Sequence, residues 1–103
     1  MKAYGVVRFR PKPGMESEFE KRFAELDRQF EGLIKVCLVK SETGAYFSVG
    51  EWKDFRSLEQ ARPGMIRNLD HFRDTLIDNG GGMGVTDPIS GTVIHEDLGP
   101  ERG

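Results

Sequence analysis

The chain has 103 residues, with 15 Lys and Arg against 17 Asp and Glu and a net charge of −2. That length fits one domain, and the near balance of charge argues against nucleic acid or an anionic membrane surface as a partner. The single cysteine, Cys37, excludes an internal disulfide, and no apolar run is long enough to span a bilayer.

Residues 2–10 alternate as a strand, with Ala3, Gly5, Val7 and Phe9 on one face and Tyr4, Val6 and Arg8 on the other. Arg8 and Arg10 make this start too charged for a secretory signal, so a reducing cytoplasm is the expected location. Pro11, Pro13 and Gly14 stop the strand. Residues 15–31 read as a helix: Met15, Phe19, Phe23, Leu26 and Phe30 form one stripe, acids crowd its start, and Gly32 is placed to end it. Residues 33–40 form a second strand whose stronger face is Ile34, Val36 and Leu38. A polar link ending in Gly44 leads to a third strand over 45–53.

Asp54 can cap the next helix. Because an interior proline costs a helix about 3 kcal/mol, Pro63-Gly64 predicts two pieces, 55–62 and 65–77, the second carrying the stripe Met65, Leu69, Phe72 and Leu76. The glycines at 80–84 read as a linker. Asp87-Pro88 reads as a type I turn, and residues 92–96 as the fourth strand. Residues 1–98 are thus expected to form one domain and 99–103 a flexible tail.

The order strand, helix, strand, strand, helix, strand predicts an α+β, ferredoxin-like βαββαβ sandwich: a four-stranded antiparallel sheet with two helices on one face. Tyr4, Val6, Cys37, Val39, Tyr46 and Trp52 are expected on the other face. An apolar face of that size predicts a homodimer, sheet against sheet.

Three stretches carry a family resemblance: VVRFRPKPGMESEFEKRF, AYFSVGEWKDFRSLEQA, and a broken second helix before a short last strand. In these the chain resembles the antibiotic-biosynthesis-monooxygenase-like domains of the dimeric α+β barrel superfamily, over nearly its whole length. The resemblance implies a homodimer closing a barrel. It also implies, among active members, cofactor-free oxygenation of electron-rich aromatics such as anthrones and quinols. A haem-degrading branch uses an Asn on the first strand and a Trp and a His on the second helix. Here the first strand has no Asn and Trp52 lies on the third strand, so haem degradation is disfavoured.

Cofactor-free oxygenation needs a dry aromatic pocket, removal of a substrate proton, and a donor for developing negative charge. His71 and Asn68 are the candidate catalytic residues; Trp52, Tyr46, Phe72 and Arg8 are the candidate substrate contacts. His71 falls roughly 130° from the centre of its helix stripe, counting 100° per residue, which directs it to solvent. Asn68 lies nearer the stripe's edge. Trp52 and Tyr46 share a strand face and combine flat rings with polar tips. No His, Cys or carboxylate cluster has metal-binding spacing, so no metal or other cofactor is expected. The competing expectation is a non-catalytic dimer that binds a small ligand or acts structurally.

Overall fold

In the computed structural model, which describes residues 1–80 and 84–101, the elements run β1 (Ala3–Phe9), α1 (Glu16–Ala24), β2 (Leu33–Lys40), β3 (Tyr46–Trp52), α2 (Phe55–Leu69), a 3-10 turn (Arg73–Thr75) and β4 (Thr86–Thr92). All neighbouring strands pair antiparallel, in the order β2-β3-β1-β4. This is the expected ferredoxin-like sandwich. Gly81, Gly82 and Met83 of the glycine linker, and Arg102 and Gly103 of the tail, lie outside the described residues.

Register decides which side chains meet the helices. Phe9 pairs with Tyr46 and Ala3 with Trp52, so Tyr46 and Trp52 share the inner face with the apolar set of β1. They are 1% and 2% exposed, which corrects their expected place on the bare face. Phe9, Tyr46, Phe19, Phe23, Phe72 and Leu76 make one core cluster; Ala3, Trp52, Leu58 and Ala61 make another. The first is a web of tilted and edge-on rings, with Phe19 between 5.1 and 5.9 Å from four other aromatic centroids.

Several boundaries differ from expectation, each for a physical reason. Helix α1 stops at Ala24, because Arg28 folds back and donates to Phe23 O at 2.6 Å, taking one of its last carbonyls. Phe30, expected on the helix stripe, instead packs against Trp52 with 6.2 Å between ring centroids. A bulge between Leu33 and Lys35 takes Ile34 out of the inward set, leaving it 54% exposed. Helix α2 runs unbroken through Pro63. Glu59 and Pro63 both lie on the exposed side, where water can satisfy the carbonyl the proline cannot bond. Asp54 does cap α2, accepting from Ser57 N–H at 2.8 Å, and that bond holds its carboxyl below the usual range. The helix ends at Leu69, short of the expected 77, and a 3-10 turn carries the chain on past the buried Phe72 to Leu76. Strand β4 spans Thr86–Thr92, with Asp87-Pro88 inside it rather than in a turn. As an edge strand it accommodates a residue with no N–H.

The outer face carries Tyr4, Val6, Phe47, Val49, Cys37 and Val39, set by the same registers. Arg8 lies there too, exposed and 3.3 Å from Asp87, its neighbour across the β1–β4 ladder.

Gly32 closes the turn into β2 with φ +84, and a Cβ there would overlap the Ser57 side chain. Gly32→Ala is expected to lower stability by about 2–3 kcal/mol, from the left-handed backbone and the overlap together. Gly44, at φ +86 with nothing within 4 Å of its Cβ position, supplies the control: its alanine variant is expected to cost about 1 kcal/mol. Urea unfolding of the two variants measures the difference.

Candidate functional site

Each row across the inner sheet face contributes the side chains that meet the helices. The outer rows are filled by Trp52 beside Ala3 and by Tyr46 beside Phe9. Between them, Gly5 faces Gly50 and Val7 faces Ser48. These small residues leave a gap between the two core clusters, and helix α1 ends too early to cover it. The result is a cavity of ≈ 410 Å³, lined mostly by apolar groups. A volume of that order suits a small ligand.

The sheet supplies the floor: Gly5, Val7, Val36, Ser48, Gly50 and Trp52. The segment after α1 supplies Leu26, Arg28 and Phe30, while Leu58, Arg62, Met65, Asn68 and Leu69 come from α2. Phe72 closes the aromatic end. No Asp, Glu, His or Lys is among the lining residues.

The polar atoms are few. The Trp52 indole nitrogen lies 3.9 Å from where a Cβ on Gly5 would sit and 3.1 Å from that position on Gly50. A side chain on Gly50 would crowd the indole, whereas one on Gly5 would press on Leu58 Cδ1, at 3.3 Å. The Trp52 ring lines the cavity, with its indole nitrogen beside the two floor glycines. Asn68 donates one amide N–H to Asp27 O at 3.0 Å, and its second N–H is left as a further donor.

The structure thus brings Trp52, Asn68 and Phe72 together on one cavity and places the other candidates elsewhere. His71 is exposed, beyond the end of α2, in a shallow depression it shares with Glu25, Asp27, Arg67 and Asp70. Arg8 is on the opposite face of the sheet, paired with Asp87. Tyr46 lies under α1, where its hydroxyl donates to the Glu20 carboxylate. Gly5, Gly50, Ser48, Arg28 and Arg62 were not foreseen as site residues. A glycine inside an apolar strand is a sequence signal for close approach, and Gly5 and Gly50 both carry it. Arg28 and Arg62 have none, since nothing local marks which arginines a distant cavity will use. Among the described residues no three His, Cys, Asp or Glu side chains are grouped as metal ligands, and no helix is long and apolar enough to cross a membrane.

Burial, followed by the hydrogen bond and charge of Glu20, pushes the Tyr46 phenol up from 10.0 to about 12. The folded state therefore holds this proton more tightly than the unfolded chain. Its contribution to stability is complete below pH 10 and is lost as pH rises towards about 12. Tyr46→Phe is expected to flatten that part of the stability profile, as read by urea unfolding between neutral and alkaline pH.

The family model described as "Antibiotic biosynthesis monooxygenase" matches residues 4–75. Among solved structures, the chain is similar to SnoaB, a cofactor-independent oxygenase from Streptomyces nogalater, at 20% identity and TM-score 0.68, over 97% of this chain and 98% of that one. It is also similar to NE2512, a protein of unknown function from Nitrosomonas europaea, at 17% identity and TM-score 0.71, over 97% and 96%. Rv0793 from Mycobacterium tuberculosis matches at 15% identity and TM-score 0.71, over 95% and 100%. At these identities the structural likeness concerns the fold. No curated protein sequence matches the chain.

Proposed function

The chain belongs to the antibiotic biosynthesis monooxygenase family, and on that premise we propose that it oxygenates a small aromatic, quinone-like molecule in the sheet–helix cavity, without metal, flavin or haem. The observation that carries this reading is a largely apolar, aromatic-walled cavity with Trp52 and Phe72 in its lining and the indole nitrogen beside its floor glycines. Phe72 and the Trp52 ring hold the substrate plane. The indole N–H, with Asn68 at the rim, faces the oxygen on which charge develops.

The chemistry is the substrate's own. A ring CH2 conjugated with a carbonyl across the central ring, as in an anthrone, loses a proton and becomes an enolate, which gives one electron to dioxygen. The resulting radical and superoxide combine as a carbon-bound peroxide. Loss of water leaves a carbonyl, so CH2 and O2 become C=O and H2O. With no His, Asp, Glu or Lys lining the cavity among the described residues, the proton leaves to solvent. The site's part is to stabilise the enolate once formed.

Aerobic incubation of the protein with a panel of anthrones and hydroquinones, without added cofactor, tests this. The expected result is oxygen uptake matched by quinone formation. No uptake across the panel, and no ligand-induced rise in melting temperature, would count against both catalysis and binding.

The absence of a titratable base from the cavity lining also favours a second reading, a non-catalytic ligand-binding protein of the same fold. Ligand binding without oxygen uptake would select it.

We also propose a homodimer through the outer sheet face, supported by the uncovered Tyr4, Val6, Phe47 and Val49. Light scattering at micromolar concentration is expected to give twice the chain mass; a stable monomer would contradict the dimer.

A further inference from the structure

We propose that the cavity selects planar apolar molecules bearing a carboxylate, which Arg28 and Arg62 hold. This rests on reading the cavity as the ligand site and deepens that reading by naming a ligand class. Among the described residues the two arginines are the only charged side chains that line the cavity, and no carboxylate accompanies them there. Among the described residues neither forms an ion pair, so neither is neutralised by a carboxylate of the chain.

They reach the cavity from different elements. Arg28 comes from the segment after α1, donating to Phe23 O at 2.6 Å and Leu26 O at 3.4 Å, with its guanidinium 4.3 Å from the Phe23 ring centroid. Arg62 comes from α2, donating to Ser90 Oγ at 3.1 Å and lying 5.6 Å from the Phe55 ring centroid. A guanidinium has five N–H donors, so both retain donors beyond these bonds. The rings and these hydrogen bonds orient their planes.

Burial holds the Arg28 guanidinium below the usual arginine range, the direction expected for a cation short of counter-charge. An apolar wall weakens solvent screening around the half-buried Arg28, so an anion there gains more than it would in water, while Arg62 adds its donors from the exposed rim. Carboxylate geometry and charge match their forked donors, whereas a neutral ring system offers them only weaker, uncharged contacts. Capping the end of α1 accounts for two of the Arg28 bonds. It does not account for a second arginine on the same cavity.

Isothermal titration calorimetry with anthraquinone-2-carboxylate and its neutral amide, anthraquinone-2-carboxamide, tests the proposal at neutral pH. The wild-type protein is expected to bind the carboxylate about tenfold more tightly or better, the scale of a charge-assisted hydrogen bond. Added sodium chloride is expected to shrink that preference. Arg62→Gln and Arg28→Gln are each expected to move it towards parity by lowering carboxylate affinity several-fold more than amide affinity. Should Arg28→Gln fail to fold, the wild-type comparison and Arg62→Gln still decide. Equal affinity for the two probes in wild type, equal loss of both in a folded variant, or binding of neither overturns the proposal. Both probes are already quinones, so the result does not depend on turnover. Carboxylate preference without oxygen uptake on the anthrone and hydroquinone panel would leave this proposal standing and remove the oxygenase reading. Uptake with neutral substrates and parity between the probes would do the reverse.

Discussion

Trp52→Phe is expected to lower oxygen turnover by about 10²–10³-fold, the usual effect of removing one donor to a developing oxyanion, while the chain still folds. The ring keeps an apolar wall in place beside Ala3, Leu58 and Ala61, so what the variant removes is chiefly the N–H. Its smaller volume leaves a gap, at a cost on the order of 1–3 kcal/mol. Trp52→Ala is different: truncating a side chain only 2% exposed is expected to cost about 3–5 kcal/mol, mixing loss of fold with loss of chemistry. The informative pair is therefore single-turnover rate and urea stability, both measured on Trp52→Phe. An unchanged rate in that variant would remove the indole from the proposed mechanism.

Phe19→Ala is expected to be the most destabilising single change in the aromatic core, at about 3–5 kcal/mol. Phe19 is fully buried and meets the rings of Phe9, Phe23, Tyr46 and Phe72. Those rings come from β1, α1, β3 and the turn after α2, so helix α1 would lose its principal anchor. A domain of this size has about 5–15 kcal/mol in total, so a large share of it goes with this one side chain. Urea unfolding is the measurement. A loss under about 1 kcal/mol would mean that the cluster repacks around the space.

Much of the fold is legible in the chain because alternation is a local property. Strands β1, β2 and β3 follow from it directly, and the helix stripe correctly marks Phe19 and Phe23 as core. Tyr46 and Trp52 are likewise legible as sharing a face. Which face meets the helices is not, because β3 is apolar on both sides and only its register with Ala3 and Phe9 decides. The end of α1 was hidden for a similar reason. Its stripe continues through Leu26 and Phe30, and what diverts the chain is the Arg28 bond to Phe23 O together with the space over Gly64, where a Cβ would meet the Phe30 ring at 2.6 Å.

Pro63 and Pro88 show local signals yielding to tertiary context. Burial of Leu58 and Ala61 anchors α2 firmly enough to carry a proline on its wet side. The β4 edge needs no N–H where Pro88 sits. The cavity was the least legible feature. It arises from small residues facing each other across strands, Gly5 with Gly50 and Val7 with Ser48, and from a helix that stops early.

Trp52 is the one tryptophan in the chain and lies on the cavity wall, so its fluorescence reports on that space without any label. Titration with an aromatic ligand that raises the melting temperature is predicted to quench this emission saturably, at one ligand per chain. Binding that raises the melting temperature while leaving Trp52 emission unchanged in intensity and wavelength would place the ligand elsewhere and contradict the assignment of the cavity as the functional site.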